Sequence, residues 1–485
     1  MSQEAGHGSI DAGYRSIHVG DRIWVELSYV RNTDGCIRNL LRVGWESGMN
    51  GVRHGSTMLA TLRVLIVESG FTRGALAGCR ALARAGWKVG VGSPTKGGLA
   101  SSSRFAHRWH RVPPVEDDLD AFLEATERAV TEAGYEAVFC CEDAQTLALS
   151  FGRDRISAVI PYPPHSVVLR GIDKLELARA AERIGLATPA TSLADDDAIA
   201  HVPLPVMVKS RLHWTPGAQR APARLEASVF RDRDAVRRRV EAIRGYGGDA
   251  VLQSFVRGRL VHFIVVVDEA GAIVVAVQTV AEPLFYPGPD IGQRIRSVSI
   301  DVDEGLRAKV GALMNELGWV GLTSLNLLLP DEGGEPTLID FNARYPASFD
   351  QYIQAGPNFP VIWACLATGR PLPPPVRVKA GVRFQWLEGD LKRAFRQRRG
   401  GLIGDVRDCL RYAPGAVHTM WRPDDPLPAV RLGTVLARQS LEKIGRLAAG
   451  RLQRGPIAPR KASRQMRRIA PPSTTATTPP NTRRS

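Results

Sequence analysis

In the stretch LIDFNARYPASF, residues 338–349, Asp340, Asn342 and Arg344 stand at alternate positions of what reads as the end of an apolar strand. Side chains two apart in an extended chain point the same way. A carboxylate, an amide and a guanidinium therefore share one face, where they must meet a ligand, a metal or water. A carboxylate and an amide oxygen at this spacing can share a hard cation such as magnesium, which takes oxygen ligands and keeps several waters. An arginine one step further along can grip a phosphoryl or carboxylate oxygen in a bidentate way. Asn326, in TSLNLL, lies on the strand that a hairpin would pair with this one. Two lysines add positive charge: Lys209 ends the short apolar strand PVMVK, and Lys174 opens a helix behind Asp173.

The elements that must carry these residues follow from hydrophobic patterning. RVLIVES, from Arg63, is a continuous apolar run of the kind buried on both faces of a parallel sheet. A helix stopped at Gly86 and a second strand follow it, and YEAVFCCEDAQTLAL (135–149) repeats the order strand, acid, helix. This predicts a doubly wound parallel α/β domain over 61–165. Gly70, Gly74 and Gly78 are four apart, a spacing that does not make GxGxxG and that suits close packing of a helix on a sheet as well as it suits a phosphate. From 166 to 375 the pattern changes to mixed antiparallel strands flanked by helices, an α+β region with a long hairpin turning at Glu269-Ala270-Gly271. Residues 376–450 read as a helical C-terminal extension. Residues 1–60 show no clean periodicity and read as an N-terminal extension or an over-called start, with Met58 just before the first convincing strand.

Composition narrows the classes. No apolar stretch approaches a membrane span, and FPVIWACLA (359–367) is about half of what a bilayer requires. The N-terminus carries acids and no apolar core, so a cytoplasmic protein is expected. The six cysteines show no CxxC or Cys/His spacing and read as reduced, packed thiols. The net charge of +15 is uneven, since residues 451–485 hold nine Arg or Lys and no acid. That Pro/Thr/Ser-rich tail reads as disordered, with anionic membrane or nucleic acid as weak electrostatic partners.

The order Asp173-Lys174, a Gly-Leu-x-Thr-Pro turn, Lys209, VLQSFVRG, GWVGLTSLNLLL and LIDFNARYPASF…AGPNFP resembles the ATP-grasp superfamily, in its carboxylate–amine ligase and carbamoyl-phosphate-synthase-like branch. The resemblance covers about 63–372 and is most specific at Asp340, Asn342, Arg344, Ser348, Gly356 and Pro360. It implies a pre-ATP-grasp domain followed by a two-lobed ATP-grasp domain, with ATP and Mg2+ (or Mn2+) as cofactors. Asp340, Asn342 and Asn326 would be metal ligands, and Lys174 and Lys209 would approach the phosphates. Arg344 and Lys209 would be catalytic, and Gln253, Ser254, Phe255 and Val256 would read the adenine through backbone groups or the Gln253 amide. The implied reaction activates a carboxylate as an acyl phosphate and condenses it with an amine, both small molecules, and the resemblance is compatible with an oligomer. A bicarbonate-directed carbamoyl-phosphate- or biotin-carboxylase-like activity, and a nucleotide-binding scaffold without turnover, are the alternatives. Departures are Asp340 and Ala343, where relatives more often have Glu and Pro, and the loop after Lys209, which has Gly217, Arg211, His213 and Arg220 in place of several glycines. Arg294 and Arg296, alternate on a strand, are candidates to bind a substrate carboxylate.

Overall fold

Four strands precede the first parallel one: β1 (Ala12–His18), β2 (Ile23–Arg31), β3 (Ile37–Glu46) and β4 (Arg53–Met58) pair in chain order as an antiparallel meander. The computed structural model describes the backbone of these strands and residues 62–215, 227–286, 293–331, 333–438 and 442. The chain divides into two compact units, Met1–Gly433 and Thr434–Ser485, and everything below concerns the first. The tail 451–485, with Gly217 and Arg220, lies outside the described residues.

A parallel sheet follows. Its elements are β5 (Arg63–Val67), α1 (Arg73–Arg84), β6 (Lys88–Ser93), β7 (Ala106–Arg111), α2 (Leu119–Ala133), β8 (Ala137–Cys140) and α3 (Asp143–Phe151). The strand order β7-β6-β5-β8 puts the topological switch between β5 and β8, where such sheets open a crevice at their carboxyl ends. Val64 to Val67 are fully buried, which is why the run is apolar without alternation. The glycines of α1 serve packing, although against a loop and not the sheet. A Cβ on Gly74 would lie 2.7 Å from the Tyr345 carbonyl, and one on Gly78 would lie 2.6 Å from the Tyr345 ring. The helix thus presses directly on the segment that follows Arg344.

After α4 (His165–Ile172) and α5 (Lys174–Arg183), a small antiparallel sheet forms from β9 (Thr191–Leu193), β10 (Val206–Ser210), β11 (Ser228–Phe230) and β12 (Ala250–Ser254), in the order β11-β10-β12-β9. Helices α6 (Asp196–His201) and α7 (Arg233–Arg244) cover it. Val206, Val208, Val236, Val240 and Leu252 give this sheet a core separate from the main one.

The large sheet takes β13 (Gly258–Val267), β14 (Ile273–Ala281), β17 (Arg296–Ile300), β18 (Gly321–Pro330), β19 (Thr337–Asn342) and β20 (Arg383–Gln385) in the order β19-β18-β13-β14-β17-β20, all antiparallel. A two-strand ribbon, β15 (Phe285–Tyr286) with β16 (Gln293–Arg294), precedes β17. Helices α8 (Glu304–Leu317), α9 (Phe349–Gln354) and α10 (Phe359–Ala367) pack around it. The C-terminal region is helical in α11 (Leu387–Gln397) and α12 (Gly401–Tyr412), but it also supplies the edge strand β20, which helical patterning did not disclose. Among the described residues no helix is long and apolar enough to cross a membrane.

Candidate active site

Strand register assembles a polar row across the large sheet. Asp340 stands opposite Asn326, Asn326 opposite His262, and His262 opposite Thr279. Directly paired residues share a face, so this face carries a carboxylate, an amide, an imidazole and a hydroxyl. The other face carries Phe341, Leu325 and Phe263 into the core. Asn342 lies two residues beyond Asp340 on the same polar face, and its amide nitrogen donates to Asp340 Oδ2 at 3.5 Å. Register therefore brings together the three residues that sequence singled out as metal ligands. Asp340 is the lone anion of the row. Among the described residues no group of three or more His, Cys, Asp or Glu is placed to hold a metal. A cation here would fit only as a hard ion sharing Asp340 and amide oxygens with anionic ligand oxygens.

A β-bulge explains how Lys209 reaches this row. Asn326 pairs with Asp340 while Leu327 pairs with Leu338, so Ile339 is the extra residue and its carbonyl is turned out of the ladder. Lys209, on β10 of the small sheet, donates from Nζ to that carbonyl at 3.0 Å. It is 8% exposed. Burial lowers its pKa from 10.5 to about 8, with Asp340 acting to hold the charge and Lys174 to expel it.

Arg344 is fixed from two sides. Its Nε donates to Asp143 Oδ1 at 2.8 Å and its Nη2 to Asn342 Oδ1 at 2.9 Å. Asp143 opens α3 beyond the carboxyl end of β8, where the helix dipole favours its charge. The other oxygen of Asp143 accepts from His213 Nδ1 at 2.5 Å, and His213 Nε2 faces Lys174 Nζ at 3.4 Å. With the proton assigned to Nδ1, the imidazole accepts from the lysine and donates to the carboxylate. A continuous chain thus runs Asn342–Arg344–Asp143–His213–Lys174. Lys174 is itself positioned by Asp173, which caps α5 through Leu175 and Glu176 amides and holds Arg211 Nε at 2.8 Å.

The expected adenine readers occupy the connection between the two antiparallel sheets. Two of them are committed to the protein. The Gln253 amide nitrogen donates to Thr191 Oγ1 at 3.0 Å, and the Ser254 N–H donates to the Ala190 carbonyl at 2.9 Å. The Gln253 side chain is therefore a cross-link within the small sheet through one of its N–H groups. Phe255 and Val256 are half-buried in the irregular link from β12 to β13.

The two arginines proposed for a substrate carboxylate part company. Arg296 is held by Asp390 and Asp408, each at 2.6 Å, and belongs to the packing of the C-terminal helices. Among the described residues Arg294, also buried, hydrogen-bonds only to neutral groups: Thr279 Oγ1 and Tyr352 Oη, each at 2.8 Å, and Ser348 Oγ. Burial, and then the Arg294 charge, push the His262 pKa well down, so that imidazole is neutral. Asp143, His262 and Tyr352 were not foreseen as site residues. For Asp143 the signal was present in CCEDAQ, an acid where a parallel strand turns into a helix.

No family model matches the sequence, and no curated protein is significantly similar to it. Solved structures are similar in fold. The L-amino acid ligase from Bacillus licheniformis shares 17% identity at a TM-score of 0.50, over 63% of this chain and 74% of that one. The biotin carboxylase domain of the Hydrogenobacter thermophilus 2-oxoglutarate carboxylase, in complex with MgADP and bicarbonate, shares 15% at 0.52, over 66% and 73%. N5-carboxyaminoimidazole synthetase from Staphylococcus aureus, complexed with ADP, shares 13% at 0.52, over 69% and 86%. The fold they have in common with this chain is the ATP-grasp fold.

Proposed function

We propose that this ATP-grasp protein is an ADP-forming carboxylate–amine ligase. The observation that carries the reading is the meeting of Lys209, from the small sheet, with the bulge beside Asp340 on the large one. It places a buried cation and a carboxylate–amide row at a single point between two sheets. In this reading residues 166–375 form the two-lobed ATP-grasp domain, 61–165 the domain before it and 376–450 an extension.

ATP lies between the sheets, its adenine against the backbone of Phe255 and Val256 and its phosphates toward Lys209 and Lys174. Asp340, Asn342 and Asn326 would hold magnesium together with the phosphate oxygens, and the ion would supply positive charge where the γ-phosphate is transferred. A substrate carboxylate oxygen attacks the γ-phosphorus as the bond to the β,γ-bridging oxygen breaks, leaving ADP and an acyl phosphate. The amine nitrogen then attacks the carbonyl carbon, phosphate departs and the nitrogen loses a proton. The protein's share is position and charge. Arg344, held rigid by Asp143 and Asn342, faces the transferred group. Arg294, buried among hydroxyls, offers the anion site that Arg296 does not. Mg-ATP with pools of carboxylates and amines should give substrate-dependent ADP and phosphate. AMP with pyrophosphate would make the enzyme an adenylating one. Tight ATP binding without release in any pool overturns catalysis.

A further inference from the structure

At the switch point of the parallel sheet two glutamates stand at neighbouring strand ends, and among the described residues no cation hydrogen-bonds to either. Val67 pairs with Cys140 across β5 and β8, and Glu68 and Glu142 follow these residues at the carboxyl ends of the two strands. Glu68 is 2% exposed. Its Oε2 accepts from the backbone N–H groups of Gly70 at 2.7 Å and Thr72 at 3.2 Å. Its Oε1 is buried and accepts nothing. Glu142 is partly open, with Oε1 accepting from Ser69 Oγ at 2.8 Å and Oε2 from Gln145 Nε2 at 3.1 Å. Phe71, next along the loop, is 44% exposed. A buried carboxylate oxygen with no donor is costly unless a ligand supplies one.

We propose that Glu68 and Glu142 form the recognition site for the amine co-substrate, taken as a primary ammonium group. This rests on the ligase reading. An ammonium brings three N–H donors and a positive charge, which answers one vacant lone-pair oxygen and two carboxylates at once. It then gives one proton to a carboxylate of the pair, so that the neutral amine attacks with its lone pair and its second proton leaves after the bond forms. A divalent metal is a poorer occupant, since no group of three metal-ligating side chains exists among the described residues. The location agrees with the chemistry. Glu142 is followed directly by Asp143, whose Oδ1 holds Arg344 at 2.8 Å. The ammonium site is therefore two side chains away from the guanidinium that faces the transferred phosphoryl group. Burial is the main reason that the Glu68 pKa is raised, to about 7, and the charge of Glu142 adds to it. A bound cation would hold the carboxylate ionised. Phe71, exposed three residues after Glu68, offers apolar surface to the carbon skeleton of the amine.

The test measures ADP release with Mg-ATP, a carboxylate pool, and the twenty L-amino acids, putrescine and glucosamine as ammonium probes, with hydroxylamine as an amine that is uncharged near neutrality. Glu68→Gln and Glu142→Gln are compared with the wild type, and melting curves verify that each is folded. The expected result is a KM for the ammonium probe raised about 10- to 100-fold, the loss of a charged hydrogen bond, with a much smaller change for hydroxylamine and for ATP. Equal losses for charged and uncharged amines, or an unchanged amine KM in both folded variants, overturns the ammonium site while the ligase reading stands. Absence of any wild-type turnover, with hydroxylamine included, overturns the ligase reading and this site with it.

Discussion

Arg344 and Asp143 are joined at 2.8 Å although 201 residues separate them in sequence. The pair ties the segment just beyond β19 of the large sheet to the first turn of a helix in the parallel-sheet region. Both partners are largely buried, with side-chain exposures of 19% and 4%. Removing one member of a buried pair strands the other's charge and typically costs about 3–5 kcal/mol. Asp143→Ala should therefore destabilise the protein by roughly that amount and release both Arg344 and His213. The double variant Asp143→Ala/Arg344→Met should recover part of the loss, because no charge is left stranded. Urea unfolding of the three proteins measures this, and a double variant no more stable than Asp143→Ala would show the pair to be uncoupled.

On the proposed function, Lys209 should set a pH window for nucleotide binding. Its pKa in the folded chain is about 8, down from 10.5. In the unfolded chain the lysine still binds its proton between these values, so unfolding takes up a proton and stability rises with pH across the window. Below about 8 the buried ammonium costs on the order of 3 kcal/mol. Lys209→Met should accordingly raise the melting temperature at pH 7 while weakening ATP binding. In the wild type, ATP affinity should fall as pH rises through about 8, and titration calorimetry at pH 7 and pH 9 reads the change. A Lys209→Met protein with the same pH dependence would assign it elsewhere.

Asp340 is the single carboxylate of the row and Asn326 faces it directly across β18 and β19. Asp340→Asn leaves the strand intact but removes the row's negative charge. ADP release should fall by about 100-fold or more, as for loss of a preorganised electrostatic contact, and the magnesium concentration for half-maximal rate should rise. Asn326→Asp is the informative converse. A second carboxylate at that position should lower the magnesium requirement, since ligand charge raises affinity for a hard cation. Rate measurements across a magnesium series test both, and an unchanged requirement in each variant would remove the row from metal binding.

Much of this arrangement could be read from residue spacing, and the remainder could not for identifiable reasons. The period of two in Asp340, Asn342 and Arg344 is a local property, and local properties survive in sequence. The bulge at Ile339 is not local: it arises from the register between β18 and β19, yet it is what turns a carbonyl toward Lys209. Arg344 was legible as a member of the alternating polar set, but its partner Asp143 lies in another part of the fold. Gly74 and Gly78 were legible as packing glycines, but nothing near them in sequence names Tyr345 as the surface they meet. The link from Gln253 to Thr191 was not legible, because Thr191 belongs to a three-residue strand too short to show a pattern.

Glu68 gives a stability signature that is separable from activity. Its pKa rises from 4.5 to about 7 on folding, mainly through burial. Between those values the folded chain holds a proton that the unfolded chain has released. Stability from this group is therefore full below about pH 4.5 and lost as pH rises through 7, a total on the order of 3 kcal/mol. The Glu142 charge adds to the rise, and the Gly70 and Thr72 amides oppose it. Glu68→Gln keeps the shape and the acceptor for the Gly70 and Thr72 amides but cannot ionise. The variant should melt higher than the wild type at pH 8 and equal it at pH 5. A cationic amine that binds here should stabilise the wild type at pH 8 and leave the variant's melting temperature unmoved. Parallel pH profiles for the two proteins would mean that Glu68 is not the ionising group and that its buried oxygen has a partner within the chain.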